Sequence, residues 1–230
     1  MSRAAEIKVM QSAAFREAYL ELAPEFERAT GHKAVAIFAP GIRVMSRLKA
    51  GETADLVIMA AGAIDELIGL GKIVPGSRVD LGKSSIGVAV RAGAPKPDIS
   101  SGEAVKCALL AAKSIAYSTG PSGVYLAGLI ERMGIADELR TKLKQVLGEP
   151  AGAPVARGEA EMGFQQMSEL LAVPGIDIVG PLPPDIQKIT VFSAGLHVGA
   201  REPAAAKALV KFLTSPAAAP VIRKKGMEPA

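Results

Sequence analysis

Tryptophan is absent from this 230-residue chain, and phenylalanine and tyrosine together leave the aromatic content at 4%. Nucleic-acid surfaces need clustered Lys and Arg, with stacking aromatics among them where bases are read. The excess charge of +4 is spread along the chain and no segment combines the two, so nucleic acid is not an expected partner. A pI near 9.2 fits a modest attraction to small anions instead.

Cysteine is nearly absent too. Cys107 has no partner for an intrachain disulfide, and its position in the helical run Ala104 to Ala112, with no local histidine or basic cluster, reads as a buried, inert thiol. The two histidines, His32 and His197, lack metal-ligand spacing, so no metal is expected. His32 reads as a solvated turn residue and His197 as a satisfied strand residue. No Gly-x-x-x-x-Gly-Lys phosphate loop, no Ser-His-Asp order and no placeable carboxylate pair occurs, and no cofactor is expected. No apolar run approaches the roughly 20 residues that span a bilayer. A secretory signal is missing as well. The protein is therefore expected to be cytoplasmic if Met1 is the native start, and periplasmic if a leader was removed.

Against these absences stands a hydrophobic content of 49% with 22% charge, enough for a sizeable packed core. Strand-turn-helix units repeat. Ile7 to Met10 is followed by Gln11-Ser12-Ala13 and a helix carrying Phe15, Tyr19, Leu22 and Phe26. Ala34 to Phe38 leads through Ala39-Pro40-Gly41 into a helix with Val44 and Leu48, and Leu56 to Met59 leads through Ala60-Ala61-Gly62 into another. Apolar strands alternating with helices predict mostly parallel sheets. After a loop over Gly76 to Gly82, the strand Ser84 to Arg91 marks a crossing into a second domain. Helices are predicted there over 104–112, 123–134 and 138–147, and strands over 114–118, 162–168 and 176–179. Ile189 to Val198 returns the chain, followed by a helix over 203–213. The expected division is 1–83 and 193–230 for one lobe and 84–192 for the other.

Ile115 to Tyr125 is the most informative segment. An apolar strand runs into Ser118, Thr119, Gly120, Pro121 and Ser122 and straight into a helix, so free N–H groups, aligned peptide dipoles and hydroxyls converge on one spot. The plainer reading is an ordinary helix cap. In open α/β sheets ligands collect beyond the carboxyl ends of the strands, where the turns at Ser12, Pro40-Gly41, Ala60-Ala61 and Ser118 to Ser122 would converge.

The order of elements and the turn residues resemble the type 2 periplasmic solute-binding proteins, in their molybdate-binding branch. The resemblance is carried by Ile7 to Ala13, by Gly51-Glu52-Thr53-Ala54-Asp55 before the strand Leu56-Val57-Ile58, by Pro121 to Tyr125, and by Phe212 to Ile222. It implies two Rossmann-like α/β lobes joined by a two-strand hinge, a ligand cleft between them, and ABC-transporter membrane subunits as partners. In molybdate binders, serines after the first two strands and a tyrosine of the second lobe hold the oxyanion. Ser12 matches the first serine. Ala39-Pro40-Gly41 has no hydroxyl, and the tyrosine's place falls near Gln165 and Gln166.

A hydrogen bond to a charged ligand contributes about 1.5–3 kcal/mol, so losing two hydroxyls disfavours molybdate, and glutamine suits a carboxylate better. The residues expected to line the site are Ser12, Ala13, Pro40, Gly41, Ala60, Ser118, Ser122, Gly123, Val124, Tyr125, Gln165 and Gln166. Backbone N–H groups at Ala13, Gly41, Gly123 and Val124 would hold the anionic end. Arg43 either pairs with a ligand carboxylate or faces solvent. The expected function is binding of a small organic anion for uptake. The alternative is a cytoplasmic isomerase or lyase of a small carboxylic acid, with Tyr117, Tyr125, Ser12 and Ser118 as its acid-base candidates. A cytoplasmic ligand sensor would need a separate partner.

Overall fold

The computed structural model describes residues 4–230; Met1, on which the reading of the native start rests, lies outside the described residues. Two compact units emerge. One runs to Lys83 and resumes at Val191–Ala230, and the other is Ser84–Thr190.

In the first unit β1 (Glu6–Gln11), α1 (Arg16–Thr30), β2 (Lys33–Phe38), α2 (Gly41–Lys49), β3 (Leu56–Ala60), α3 (Ala61–Gly69) and β4 (Val79–Ser84) follow in order. The second unit contains β5 (Ile86–Arg91), α4 (Gly102–Ala111), β6 (Ile115–Ser118), α5 (Pro121–Arg132), α6 (Ala136–Leu139), β7 (Leu143–Val146), α7 (Gly152–Ala156), β8 (Met162–Gln166), α8 (Met167–Leu170) and β9 (Ile176–Pro181). The returning chain supplies β10 (Thr190–Leu196), α9 (Pro203–Leu213), α10 (Ala219–Lys224) and β11 (Glu228–Pro229). Each unit has its own sheet, ordered β11-β4-β10-β3-β1-β2 in the first and β7-β6-β8-β5-β9 in the second. Among the described residues no helix is long and apolar enough to cross a membrane.

The strands β2, β1 and β3 are parallel neighbours, so their carboxyl ends lie together at one edge of the sheet. Their apolar runs exist because both faces are covered. Ile7, Val9 and Ile58 pack with Phe15, Tyr19, Leu22 and Phe26 and with Leu209 and Leu213 of α9. Met10, Val57 and Met59 pack with Val44, Leu48, Ile64 and Leu67. Burying one such side chain contributes about 1.5–3 kcal/mol, which explains why an almost unbroken apolar sequence is stable as a strand here. In the second unit β7, β6 and β8 are parallel. Their sheet packs Ile86, Val88 and Phe164 against Val105, Leu109 and Leu126 of the covering helices.

The Gly51 to Asp55 motif holds the first unit together. Gly51, at φ +96°, adopts the left-handed turn after α2 that a Cβ would strain. Glu52 then meets Arg47 and Lys8, whose hydrogen bonds, Arg47 first, pull its carboxyl down to about 2. Asp55 is buried and accepts three backbone N–H bonds: Lys8 at 2.7 Å, Arg201 at 2.6 Å and Glu202 at 2.9 Å. One carboxylate thereby ties β1 to the start of α9.

Four expectations need correction. The helix over 138–147 is instead α6 followed by β7, because Leu143 to Val146 pair in parallel with Ile115 to Ser118, and sheet pairing overrides local helical preference. The loop expected over Gly76 to Gly82 contains most of β4, whose partner Glu228 lies at the far end of the chain, where no local pattern reveals it. Cys107 is exposed, since α4 turns Val105 and Leu109 inward and presents Cys107 on its outer side. His32 is half-buried: its Nδ1 accepts the Ala5 N–H at 3.1 Å and its ring stacks on Phe26.

Candidate functional site

In the first unit, three helical segments begin at the carboxyl ends of β1, β3 and β2, following Ser12, Ala60 and Pro40, and no side chain caps any of them. For Ser12 this is unexpected, because serine at that position ordinarily accepts from the first turn. Ser101 does so for α4, accepting the Ala104 N–H at 3.1 Å. The Ser12 hydroxyl, by contrast, is buried and has no partner among the described residues. It lies beside the second strand-to-helix turn: a Cβ on Gly41 would sit 3.9 Å from the Ser12 Cβ and 3.5 Å from Met59. The Pro40 carbonyl takes the N–H groups of Arg43 and Val44, at 2.8 and 3.1 Å. Arg43 itself is exposed.

Gln11 was not among the residues expected from the sequence. It ends β1 in register with Phe38 and Ile58, is fully buried, and neither its amide oxygen nor its amide nitrogen has a partner among the described residues. Leaving buried polar atoms unpaired costs about 1–3 kcal/mol each. Its signal was visible in the sequence: β1 alternates Ile7, Val9, Gln11, so a polar residue occupies a core-facing strand position.

The second unit holds its strand-to-helix turn more tightly. Ser118 and Ser122 are buried with their hydroxyls 3.2 Å apart, and Ser118 Oγ also accepts the Gly120 N–H at 3.2 Å. A Cβ on Gly123 would stand 1.6 Å from the Ser118 carbonyl oxygen. Helix and strand therefore approach as closely as only glycine permits. The structure corrects the roles expected of two backbone donors, since Gly123 and Val124 both donate to the Gly120 carbonyl, at 3.0 and 3.1 Å. Pro121 has no N–H, which leaves Ser122 as the first-turn donor of α5. Tyr125 is also committed elsewhere. Its hydroxyl donates to the Ile186 carbonyl at 2.7 Å and Arg132 stacks over its ring.

Gln165 and Gln166 end β8. Since Tyr117 is in register with Phe164, the next residues along the two strands, Ser118 and Gln165, reach the same edge. The side-chain carbonyl of Gln165 accepts the Ala151 N–H at 2.6 Å and its amide nitrogen donates to Glu169 at 2.8 Å. The Gln166 amide satisfies the most groups with its oxygen toward Thr190 Oγ1 at 2.9 Å and its nitrogen toward the Ser84 and Ser85 carbonyls at 3.1 and 3.3 Å. Both amides are thus used within the unit, where the family resemblance had implied that they face a ligand.

Glu169 is the second residue that the sequence pattern did not reveal. Desolvation by burial pushes its carboxyl up to about 7, opposed by the hydrogen bond from Gln165. Because this lies above the ordinary carboxylate value of 4.5, the folded state favours the protonated form. The favourable contribution is complete below about pH 4.5 and is lost as pH rises through 7. The loss amounts to at most about 3 kcal/mol, since each tenfold change in an ionisation constant corresponds to about 1.36 kcal/mol. Glu169→Gln, which never ionises, is expected to melt several degrees above wild type at pH 8 and level with it at pH 4.5. Thermal melts at the two pH values check this, and an equal gap at both would refute it.

Among the described residues no group of three or more His, Cys, Asp or Glu side chains could hold a metal ion. His197 is buried, with Nδ1 accepting the Gly199 N–H at 3.0 Å and Nε2 unpaired among the described residues. Burial is the main cause that lowers its pKa. It lies beside Asp55 and the amino end of β3, away from the strand ends considered above.

Comparison with known proteins agrees with this architecture. The family described as "Bacterial extracellular solute-binding protein" matches residues 7–228. A Pseudomonas protein named aconitate isomerase is 44% identical over 229 residues, covering 97% of this chain and 87% of that protein. The molybdate-binding protein ModA of Escherichia coli is 28% identical, covering 96% and 88%. The structure of the periplasmic molybdate-binding protein of Azotobacter vinelandii superposes with a TM-score of 0.80 at 21% identity, covering 96% of this chain and 98% of that one. With the family matched over nearly its whole length, and with two α/β units of this topology, the chain belongs to the bacterial extracellular solute-binding proteins, on their molybdate-binding-like branch.

Proposed function

We propose that this protein binds a small unsaturated polycarboxylate of the aconitate kind at its strand ends and isomerises it. The observation that carries this reading is the 44% identity to the aconitate isomerase across 97% of the chain, against 28% to the Escherichia coli molybdate-binding protein. The site chemistry supports it. The Pro40-Gly41 turn offers no hydroxyl to a tetrahedral oxyanion, whereas the unpaired Ser12 hydroxyl and Gln11 amide can hydrogen-bond carboxylate oxygens. Donors to a charged group contribute about 1.5–3 kcal/mol each, so a molybdate site short of two hydroxyls loses most of its affinity.

Membership of the solute-binding family favours a second reading, in which the same carboxylate is bound for uptake and released unchanged. One experiment separates the two. Purified protein is mixed with trans-aconitate, binding is followed by thermal shift and conversion by proton NMR, with molybdate and sulfate as controls. Conversion to the cis isomer is expected. A melting shift without conversion would select the uptake reading, and a shift with molybdate alone would overturn both.

A further inference from the structure

We propose that Gln11 receives one carboxyl group of the ligand in its protonated form, as an amide–acid pair held by two hydrogen bonds. The inference rests on the polycarboxylate part of the reading above and is independent of whether the ligand is then isomerised. It concerns the first unit alone. Five buried side-chain polar atoms lack a partner among the described residues, and three of them fall on two adjacent positions: Gln11 Oε1, Gln11 Nε2 and Ser12 Oγ. The other two are scattered, one on His197 and one on Ser215.

The backbone around Gln11 is rigid. Its carbonyl accepts the Ala39 N–H at 3.1 Å, and the next N–H, of Ser12, donates to the Ile58 carbonyl at 3.0 Å, so β2, β1 and β3 are tied together at the residue that carries the free amide. Beyond it the surface opens. Ala13 is exposed, and Ala39, Pro40, Gly41 and Ala60, which form the neighbouring strand-to-helix turns, are half-buried. Charged side chains on the adjoining helices are Arg16 and Glu17 of α1, 3.9 Å apart with Arg16 over the Phe38 ring, and the exposed Arg43 of α2. Tyr19 of α1 donates its hydroxyl to the Ala34 carbonyl. None of these groups hydrogen-bonds Gln11 or Ser12.

A primary amide offers one face that both donates and accepts. A carboxylate, a molybdate or a sulfate carries acceptors only. Each could take the Nε2 hydrogen of Gln11, but each would leave Oε1 without a donor and bring an oxygen lone pair toward it. An undissociated carboxyl group fits both atoms at once: its carbonyl accepts from Nε2 and its O–H donates to Oε1. The Ser12 hydroxyl remains to donate to a further ligand oxygen. Burial favours the same form, because Gln11 is wholly inaccessible and a buried site disfavours a charged carboxyl. Such shifts reach about 3–5 pH units, enough to carry an ordinary carboxyl to neutrality. Gln11 is therefore a specificity-determining residue, selecting a carboxyl that brings its own proton over anions that have none.

The test is calorimetry of trans-aconitate binding at pH 7 in two buffers of different ionisation enthalpy, which counts the protons taken up. Wild type should take up about one proton per ligand, and its affinity should fall by up to about tenfold per unit as pH rises. Gln11→Met removes both amide atoms and keeps the length of the side chain. It should bind trans-aconitate about tenfold or more weakly and take up no proton, while melting without ligand at or above the wild-type temperature, since two unpaired polar atoms leave the core. The wild-type proton count stands whether or not the variant folds. Binding by wild type without proton uptake, or unchanged affinity and uptake in Gln11→Met, would overturn the role of Gln11 and leave the polycarboxylate reading standing. No trans-aconitate binding by wild type would instead overturn that reading, and the role of Gln11 with it.

Discussion

Gly123→Ala should destabilise the second unit by more than about 3 kcal/mol, the largest effect expected of any single methyl group in the chain. Its Cβ would lie 1.6 Å from the Ser118 carbonyl oxygen, 2.7 Å from the Ser118 carbonyl carbon and 3.2 Å from the Tyr117 ring. The first two are backbone atoms, so no rotamer change relieves the contact. Either β6 or α5 must move. Moving β6 disturbs its pairing with β7 and β8, and moving α5 withdraws Leu126, Leu129 and Ile130 from the core they share with Phe164. Overpacking a core costs about 1–3 kcal/mol even where side chains can yield, and more where backbone must shift. At about 2–4 °C per kcal/mol for a chain of this size, the melting temperature should fall by roughly 6–12 °C or further. Val124→Ala, one residue along at a side chain 71% exposed, should change stability by less than about 0.5 kcal/mol. Thermal melts of both variants check the contrast, and a Gly123→Ala protein melting within about 2 °C of wild type would show that the turn is not closely packed.

Asp55→Ala should be almost as damaging, by about 3–5 kcal/mol, through loss of polar partners instead of steric overlap. The wild-type carboxylate accepts from Lys8, Arg201 and Glu202, and the substitution leaves three N–H groups without it. Each buried donor left unsatisfied costs about 1–3 kcal/mol, and partial relaxation keeps the sum below simple addition. Asp55→Asn separates charge from geometry. Its remaining oxygen can still accept from Arg201 and Glu202, while its amide nitrogen would face the Lys8 N–H, so an intermediate loss is expected. Urea unfolding gives the free energies, and hydrogen exchange at Lys8, Arg201 and Glu202 gives the location, because faster exchange should appear at those amides first. An Asp55→Ala protein within about 1 kcal/mol of wild type would mean that other contacts suffice to anchor α9.

These two positions also show where function and fold part company in the motifs. The Gly51 to Asp55 run and the Pro121 to Tyr125 run carried the family resemblance, yet much of what they do is structural. Asp55 joins strand to helix, Gly123 permits close packing, and Tyr125 ties α5 to Ile186. The uncommitted polar groups at the strand ends of the first unit are the Ser12 hydroxyl and the amide of Gln11, the latter absent from the residues expected.

The amino-acid sequence by itself determined the class of fold and most of its elements. Strands such as Leu56-Val57-Ile58-Met59 are apolar on both faces and are followed at once by amphipathic helices, and that local periodicity admits little but parallel sheets with helices on either side. It also located Ser12 and the Ser118 to Ser122 turn, because hydroxyls and glycine at a strand-to-helix junction form a local pattern. Tertiary structure alone decided what depends on partners distant in the chain. The β4 pairing with Glu228, the conversion of Leu143 to Val146 into a strand, and the engagement of Gln165 by Ala151 all join residues that sequence order leaves unconnected. For the same reason, whether a polar side chain is spent on its own fold or left free for a ligand emerges only once every buried donor and acceptor has met its neighbours.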